Sequence, residues 1–140
     1  MTAPTTLQNE TVESPKKTWV VFSGNSELKI LRFLKKGFQH CFVVFNDGDH
    51  WITFDPLSHY TEIVSQKLPL SFDLTEWLTS QGHKILPATP NHKKLKPAPL
   101  MPFTCVEAVK RILGIHSRFI ITPYQLYKFI NSSNHIKKEY

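Results

Sequence analysis

The stretch His40-Cys41-Phe42-Val43-Val44-Phe45-Asn46-Asp47-Gly48-Asp49-His50-Trp51-Ile52-Thr53-Phe54-Asp55-Pro56 decides the fold. Two runs rich in β-branched and aromatic residues flank an Asp-Gly step, the strongest short-range signal for a β-hairpin. Strands are expected over Phe38 to Phe45 and His50 to Phe54. Asp55-Pro56 ends the second, because proline donates no ladder hydrogen bond. With Asp47-Gly48 as the turn, or with a longer loop closed by Phe45 and His50, the same register brings His40 opposite Asp55. Directly opposed residues share a face with Cβ atoms about 5 Å apart, so an imidazole and a carboxylate are expected to meet there.

Alternation along the strands separates the neighbours of His40. His40, Phe42 and Val44 share one face with Trp51, Thr53 and Asp55. Cys41, Val43 and Phe45 share the other, so Cys41 is expected in the core and His50 on its side. A metal site built from His40, Cys41, His50 and His59 is disfavoured on this ground, since adjacent strand residues diverge. No metal or cofactor is expected.

Upstream, Trp19 to Phe22 is a short apolar run closed by Ser23-Gly24-Asn25 and reads as a buried strand. Leu28, Ile30, Leu31, Phe33 and Leu34 recur at helical spacing between Lys29, Arg32, Lys35 and Lys36, with Ser26 as cap and Gly37 as stop. Downstream, Tyr60 to Val64 reads as a further strand. Asp73 and Thr75 open a short helix through Trp77 and Leu78, and Ile85-Leu86-Pro87 return to the sheet. Residues 90–102 are basic and proline-rich, as an exposed loop is.

The last third opens on Thr104-Cys105-Val106-Glu107. Threonine followed three residues on by glutamate is a capping box, which makes Thr104 the N-cap and puts Cys105 in the first helical turn. There the unpaired N–H groups and the positive helix end favour thiolate over thiol, as a nucleophile requires. Taken alone, Cys105 also fits a small buried hydrophobe. The expected His40–Asp55 pair supplies what a cysteine nucleophile needs beside it, a base and a group that orients the base. A final helix is signalled by Thr122 as cap, Pro123 as first residue and Leu126, Phe129 and Ile130 as its apolar face.

The chain has 140 residues, enough for one core without disulfides or metal. Residues 1–16 lack apolar pattern and read as a flexible tail, leaving 17–140 as a single domain. Two cysteines outside any CxxC spacing argue against a disulfide scaffold or structural zinc. The polar N-terminus has no signal-peptide core and no stretch is long enough to span a membrane, so the expectation is a soluble, cytoplasmic protein, or one delivered within a larger assembly such as a virion. The net charge of +6 suits anionic partners, nucleic acid included. The basic residues nevertheless gather in solvated runs around Lys16-Lys17, Lys93-Lys94 with Lys96, and Lys137-Lys138. No helix-turn-helix, zinc-finger or RNP-type signature accompanies them, which leaves a nucleic-acid-binding module as an alternative without a motif.

His40 at a strand start, the apolar strand, the Asn46-Asp47-Gly48-Asp49 turn, Asp55 on the partner strand and a later helix-opening Cys105 resemble the permuted NlpC/P60-like thiol hydrolases. That superfamily includes the lecithin:retinol acyltransferase-like enzymes. The resemblance covers about residues 19–115. It implies an α+β, circularly permuted papain-like fold, with a small antiparallel sheet packed against helices. By position it makes His40 the base, Asp55 the orienting residue and Cys105 the nucleophile. Substrates implied are a peptide, a peptidoglycan fragment or an acyl group. Thr104-Cys105-Val106-Glu107 matches neither the Asp-Cys-Ser pattern of the cell-wall peptidases nor the Asn-Cys-Glu pattern of the acyltransferases, and Asp55 stands where the acyltransferases usually have a second histidine. A catalytically silent, phage-like assembly or binding protein with the same fold is the second expectation.

Overall fold

The computed structural model describes residues 17–24, 34–57, 59–91 and 100–138. The expected tail at 1–16, nearly all of the helix expected at 28–34 and the basic loop residues 92–99 lie outside the described residues, as does Ser58. Among the described residues the elements are β1 (Lys17–Ser23), β2 (His40–Asn46), β3 (Trp51–Pro56), β4 (Thr61–Gln66), α1 (Leu74–Ser80), β5 (Lys84–Ala88), α2 (Cys105–Leu113) and α3 (Pro123–Lys138). The architecture is α+β. The five strands form one sheet in the order β4-β3-β2-β1-β5, with every neighbouring pair antiparallel. No helix among the described residues is long and apolar enough to cross a membrane.

Alternation along the central strands explains why both faces of the sheet are covered. Val20, Phe22, Cys41 and Val43 point to one side and pack with Val106, Val109 and Leu113 of α2 and Leu126 and Ile130 of α3. Val21, Val44 and Trp51 point to the other and meet Leu74 and Leu78 of α1. Burying a Val, Leu or Phe is worth roughly 1.5–3 kcal/mol relative to exposure, so these two clusters dominate cohesion. The two edges differ. On β5, Asn134 of α3 donates to the Pro87 carbonyl at 2.8 Å. On β4 most residues are exposed, Ile63 by 66%.

The hairpin register differs from the expected one. Val43 pairs with Phe54 and Asn46 with Trp51, so the pairing is offset by two residues and His40 is not directly opposite Asp55. The turn chemistry explains the offset. Asn46 Oδ1 accepts from the Gly48 N–H, and Asp47 Oδ1 accepts from the N–H groups of Asp49 and His50. These bonds centre the turn on Gly48-Asp49, with Asp47 donating to the His50 carbonyl. Gly48, at φ 101, takes the first central position, where a left-handed backbone suits glycine. An offset of two leaves every side chain on its expected face.

Helix ends follow the sequence with two corrections. Asp73 caps α1, accepting from the Glu76 N–H at 3.0 Å, and Thr104 caps α2, accepting from the Glu107 N–H at 3.2 Å. The Glu107 carboxylate, expected to return to the cap, is taken up by Lys110 and Arg111. A full capping box forms at α3 instead. Gln125 donates its N–H to Thr122 Oγ1, while Gln125 Oε1 accepts from the N–H groups of Ile121 and Thr122. Phe129, expected on the buried face of α3, is 43% exposed, and Leu126 and Ile130 carry that face with Pro123.

Candidate active site

Three elements bring the site together: the start of β2, the end of β3 and the first turn of α2. The start of β2 is held firmly. Gln39 donates its N–H to the Ser23 carbonyl at 2.9 Å. Phe38, two residues before His40, packs on Phe22, Tyr124 and Tyr127 with ring centroids 4.9–5.8 Å apart. Such aromatic contacts fix the strand against α3. The His40 ring then stacks on Phe42 at 6.2 Å, and Phe42 meets the edge of His83 at 6.3 Å.

His40 Nε2 lies 2.6 Å from Asp55 Oδ1, with both side chains partly buried. The pair spans a diagonal of the ladder, a separation that an imidazole can bridge. With Nε2 occupied by the carboxylate, Nδ1 is the nitrogen turned to other work. The His40 side chain also stands near enough to Cys105 for each to shift the other's acidity. His40 is the first residue of β2, so it stands at the end of the sheet.

Cys105 opens α2 with Thr104 as its cap. Glu107 and Ala108 give their N–H groups to Thr104, and helix geometry leaves those of Cys105 and Val106 without an intrahelical acceptor. Cys41, in the core as expected and without exposed surface, belongs to the cluster against which Cys105 packs, and it bears on the acidity of the Cys105 sulfur. Alternation did not foresee that adjacent residues of β2 both bear on one sulfur. Among the described residues no three His, Cys, Asp or Glu side chains converge as a metal ion would need. His50 stands exposed at the hairpin tip, 3.6 Å from Asp47.

The electrostatics follow from these contacts. The neighbouring Cys41 lowers the Cys105 pKa most, burial opposes it, and the nearby His40 adds to the lowering, for a net value of about 5. Burial pulls His40 down, but the hydrogen bond of Asp55 and the neighbouring Cys105 outweigh it and hold the imidazolium to about 9. Cys41 moves the other way. Its burial raises the thiol well above the ordinary value, and the neighbouring Cys105 raises it further. Near neutral pH the site is therefore a thiolate near an imidazolium, with Cys41 protonated.

Labelling of the folded protein with iodoacetamide tests this directly. Cys105 should react at least about 100-fold faster than Cys41 at pH 7, because only Cys105 is both ionised and accessible. Its rate should climb as pH rises through about 5, where the proton leaves, and then stay flat from about pH 6 to 8. In a His40→Ala protein the climb should move to higher pH and labelling at neutral pH should slow. Equal, slow labelling of both cysteines would count against an activated thiol.

The positions of His40, Asp55 and Cys105 were legible from periodicity and capping, whereas the closeness of Cys41 to Cys105 was not. The full burial of Cys41, one residue from His40, was the available signal. No protein-family model, curated protein or solved structure matches the chain.

Proposed function

We propose that this protein is a cysteine hydrolase of circularly permuted papain-like, NlpC/P60-like architecture that cleaves amide or ester bonds, with a peptidoglycan-type peptide amide as the preferred substrate. One observation carries the reading. A single imidazole, His40, bonds the Asp55 carboxylate and stands near the helix-opening Cys105, whose thiolate it favours. The chain order His40, Asp55, Cys105 is that of the permuted superfamily the sequence resembles. The peptide substrate rests on the resemblance alone.

In this reading the Cys105 thiolate attacks the scissile carbonyl carbon, forming a C–S bond and pushing the carbonyl electron pair onto oxygen. The Cys105 N–H, free of any helical acceptor, donates to that oxygen. His40, protonated by virtue of Asp55, hands its proton to the leaving amine or alkoxide as the C–N or C–O bond breaks. Neutral His40 then takes a proton from water, whose oxygen attacks the thioester and releases the acid and the Cys105 thiolate. Asp55 touches no reacting atom. It holds the ring orientation and stabilises the charged imidazolium, so it is a positioning residue.

The test is incubation with peptide amides, esters and peptidoglycan fragments, followed by product analysis and a mass search for an acyl group on Cys105. Turnover with the adduct supports the reading. An Asp55→Asn protein should lose roughly 10-fold or more in kcat, and the thiolate should form at higher pH in the labelling profile, because the imidazolium loses its partner. Absence of turnover together with tight, salt-sensitive nucleic-acid binding would replace hydrolysis by a basic binding module. Absence of both would leave a silent assembly protein.

A further inference from the structure

The hydrolase reading gives Cys41 no step of its own. Yet Cys41 has no accessible surface, sits on β2 in the core cluster against which Cys105 packs as α2 lies on that strand, and stands near enough to the Cys105 sulfur for each to shift the other's acidity. Both residues are free thiols. We propose that Cys41 and Cys105 form a site of reversible oxidation, in which a hydroperoxide oxidises Cys105 and Cys41 closes on it as an intramolecular disulfide. The proposal rests on Cys105 being the ionised thiol of the proposed hydrolase, though not on which bond that hydrolase cleaves.

The arrangement divides the chemistry between the two sulfurs. Cys105 is partly exposed and ionised, so a small hydroperoxide can reach it. The thiolate attacks the terminal oxygen, the O–O bond breaks, and Cys105 becomes a sulfenic acid. The departing alkoxide or hydroxide takes the proton of the His40 imidazolium and leaves as alcohol or water. Cys105 has then lost the charge that held the Cys41 proton in place. The Cys41 sulfur attacks the sulfenic sulfur, an S–S bond forms, and the hydroxyl leaves with the Cys41 proton as water. Two electrons pass from the thiol pair to the peroxide.

Geometry selects this partner over others. Cys41 lies inside the sheet, paired opposite Phe22, and α2 packs directly on β2. An external thiol has no route to the fully buried Cys41, whereas Cys105 already packs against the cluster that holds it. The disulfide would silence the nucleophile and shield it from irreversible sulfinic and sulfonic acids.

The experiment treats the reduced full chain with hydrogen peroxide in the absence of substrate. Intact mass, iodoacetamide labelling after unfolding and peptide mapping are then read. The expected result is loss of both free thiols together, a mass lower by two hydrogens, a peptide linking Cys41 to Cys105, and recovery of at least about nine-tenths of the labelling with dithiothreitol. A Cys41→Ala protein should instead accumulate Cys105 oxyacids, with less than about a tenth recovered. Should that variant fail to fold, the linked peptide from the unmodified protein decides. Oxyacid on Cys105 with Cys41 still free, or dimers joined through Cys105, overturns the proposal and leaves the hydrolase reading untouched. A linked peptide in a protein with no turnover on any substrate class supports the pair and sinks the hydrolase reading.

Discussion

A Cys105→Ser protein is expected to lose turnover by a factor on the order of 10³ or more while keeping its fold. Oxygen replaces sulfur with little change of volume at a residue that is only partly buried, so the packing against the α2–α3 face of the sheet should hold. The chemistry should not hold. A serine hydroxyl cannot be ionised by the contacts that bring the Cys105 thiol to about 5, so no ionised nucleophile stands ready for the carbonyl. The measurement is kcat/KM on whichever small amide or ester the unmodified protein cleaves, alongside thermal unfolding. Residual activity within about 10-fold of the unmodified protein would move the nucleophile elsewhere.

The largest expected effect on stability comes from Glu107→Ala. Glu107 and Lys110 are almost fully buried, with 2.9 Å between Oε2 and Nζ, and Lys110 also donates to the Ile120 carbonyl at 3.1 Å. Removing the carboxylate leaves a buried ammonium with a single carbonyl for company, which should cost about 3–5 kcal/mol. Arg111, half exposed, bonds the other carboxylate oxygen and has water to fall back on. The double substitution Glu107→Leu with Lys110→Met should recover most of the loss, since apolar residues of similar size replace both charges together. Chemical denaturation of the three proteins checks both statements. A Glu107→Ala loss below about 1 kcal/mol would mean that water enters the α2–α3 junction and solvates Lys110.

Much of this molecule was legible in local signals. The strand at Trp19 to Phe22, the hairpin, the caps Asp73, Thr104 and Thr122, and the burial of Cys41 all follow from periodicity and cap chemistry. The His40–Asp55 contact was anticipated through a register that turned out offset by two residues, and it survived because an even offset preserves faces. A single-residue slip would have sent His40 into the core. The turn centre was missed because three backbone N–H groups compete for Asn46 and Asp47 side chains, a contest that no dipeptide preference describes. The Glu107–Lys110 pair was hidden for a different reason. Two charges in helical spacing look like a solvated face, and only the arrival of Ile120 over α2 encloses them.

The distances along the chain between His40, Asp55 and Cys105 give the sulfur a further use. β2, β3 and α2 must all be assembled before an imidazolium and a buried thiol can stand beside Cys105. In the unfolded chain Cys105 returns to the ordinary acidity of cysteine, and at mildly acidic pH it falls nearly silent towards alkylation. Its labelling rate at such a pH is thus a chemical clock for long-range assembly. Refolding followed by brief alkylation pulses should report when the sheet and α2 dock, separately from the moment at which helices first form.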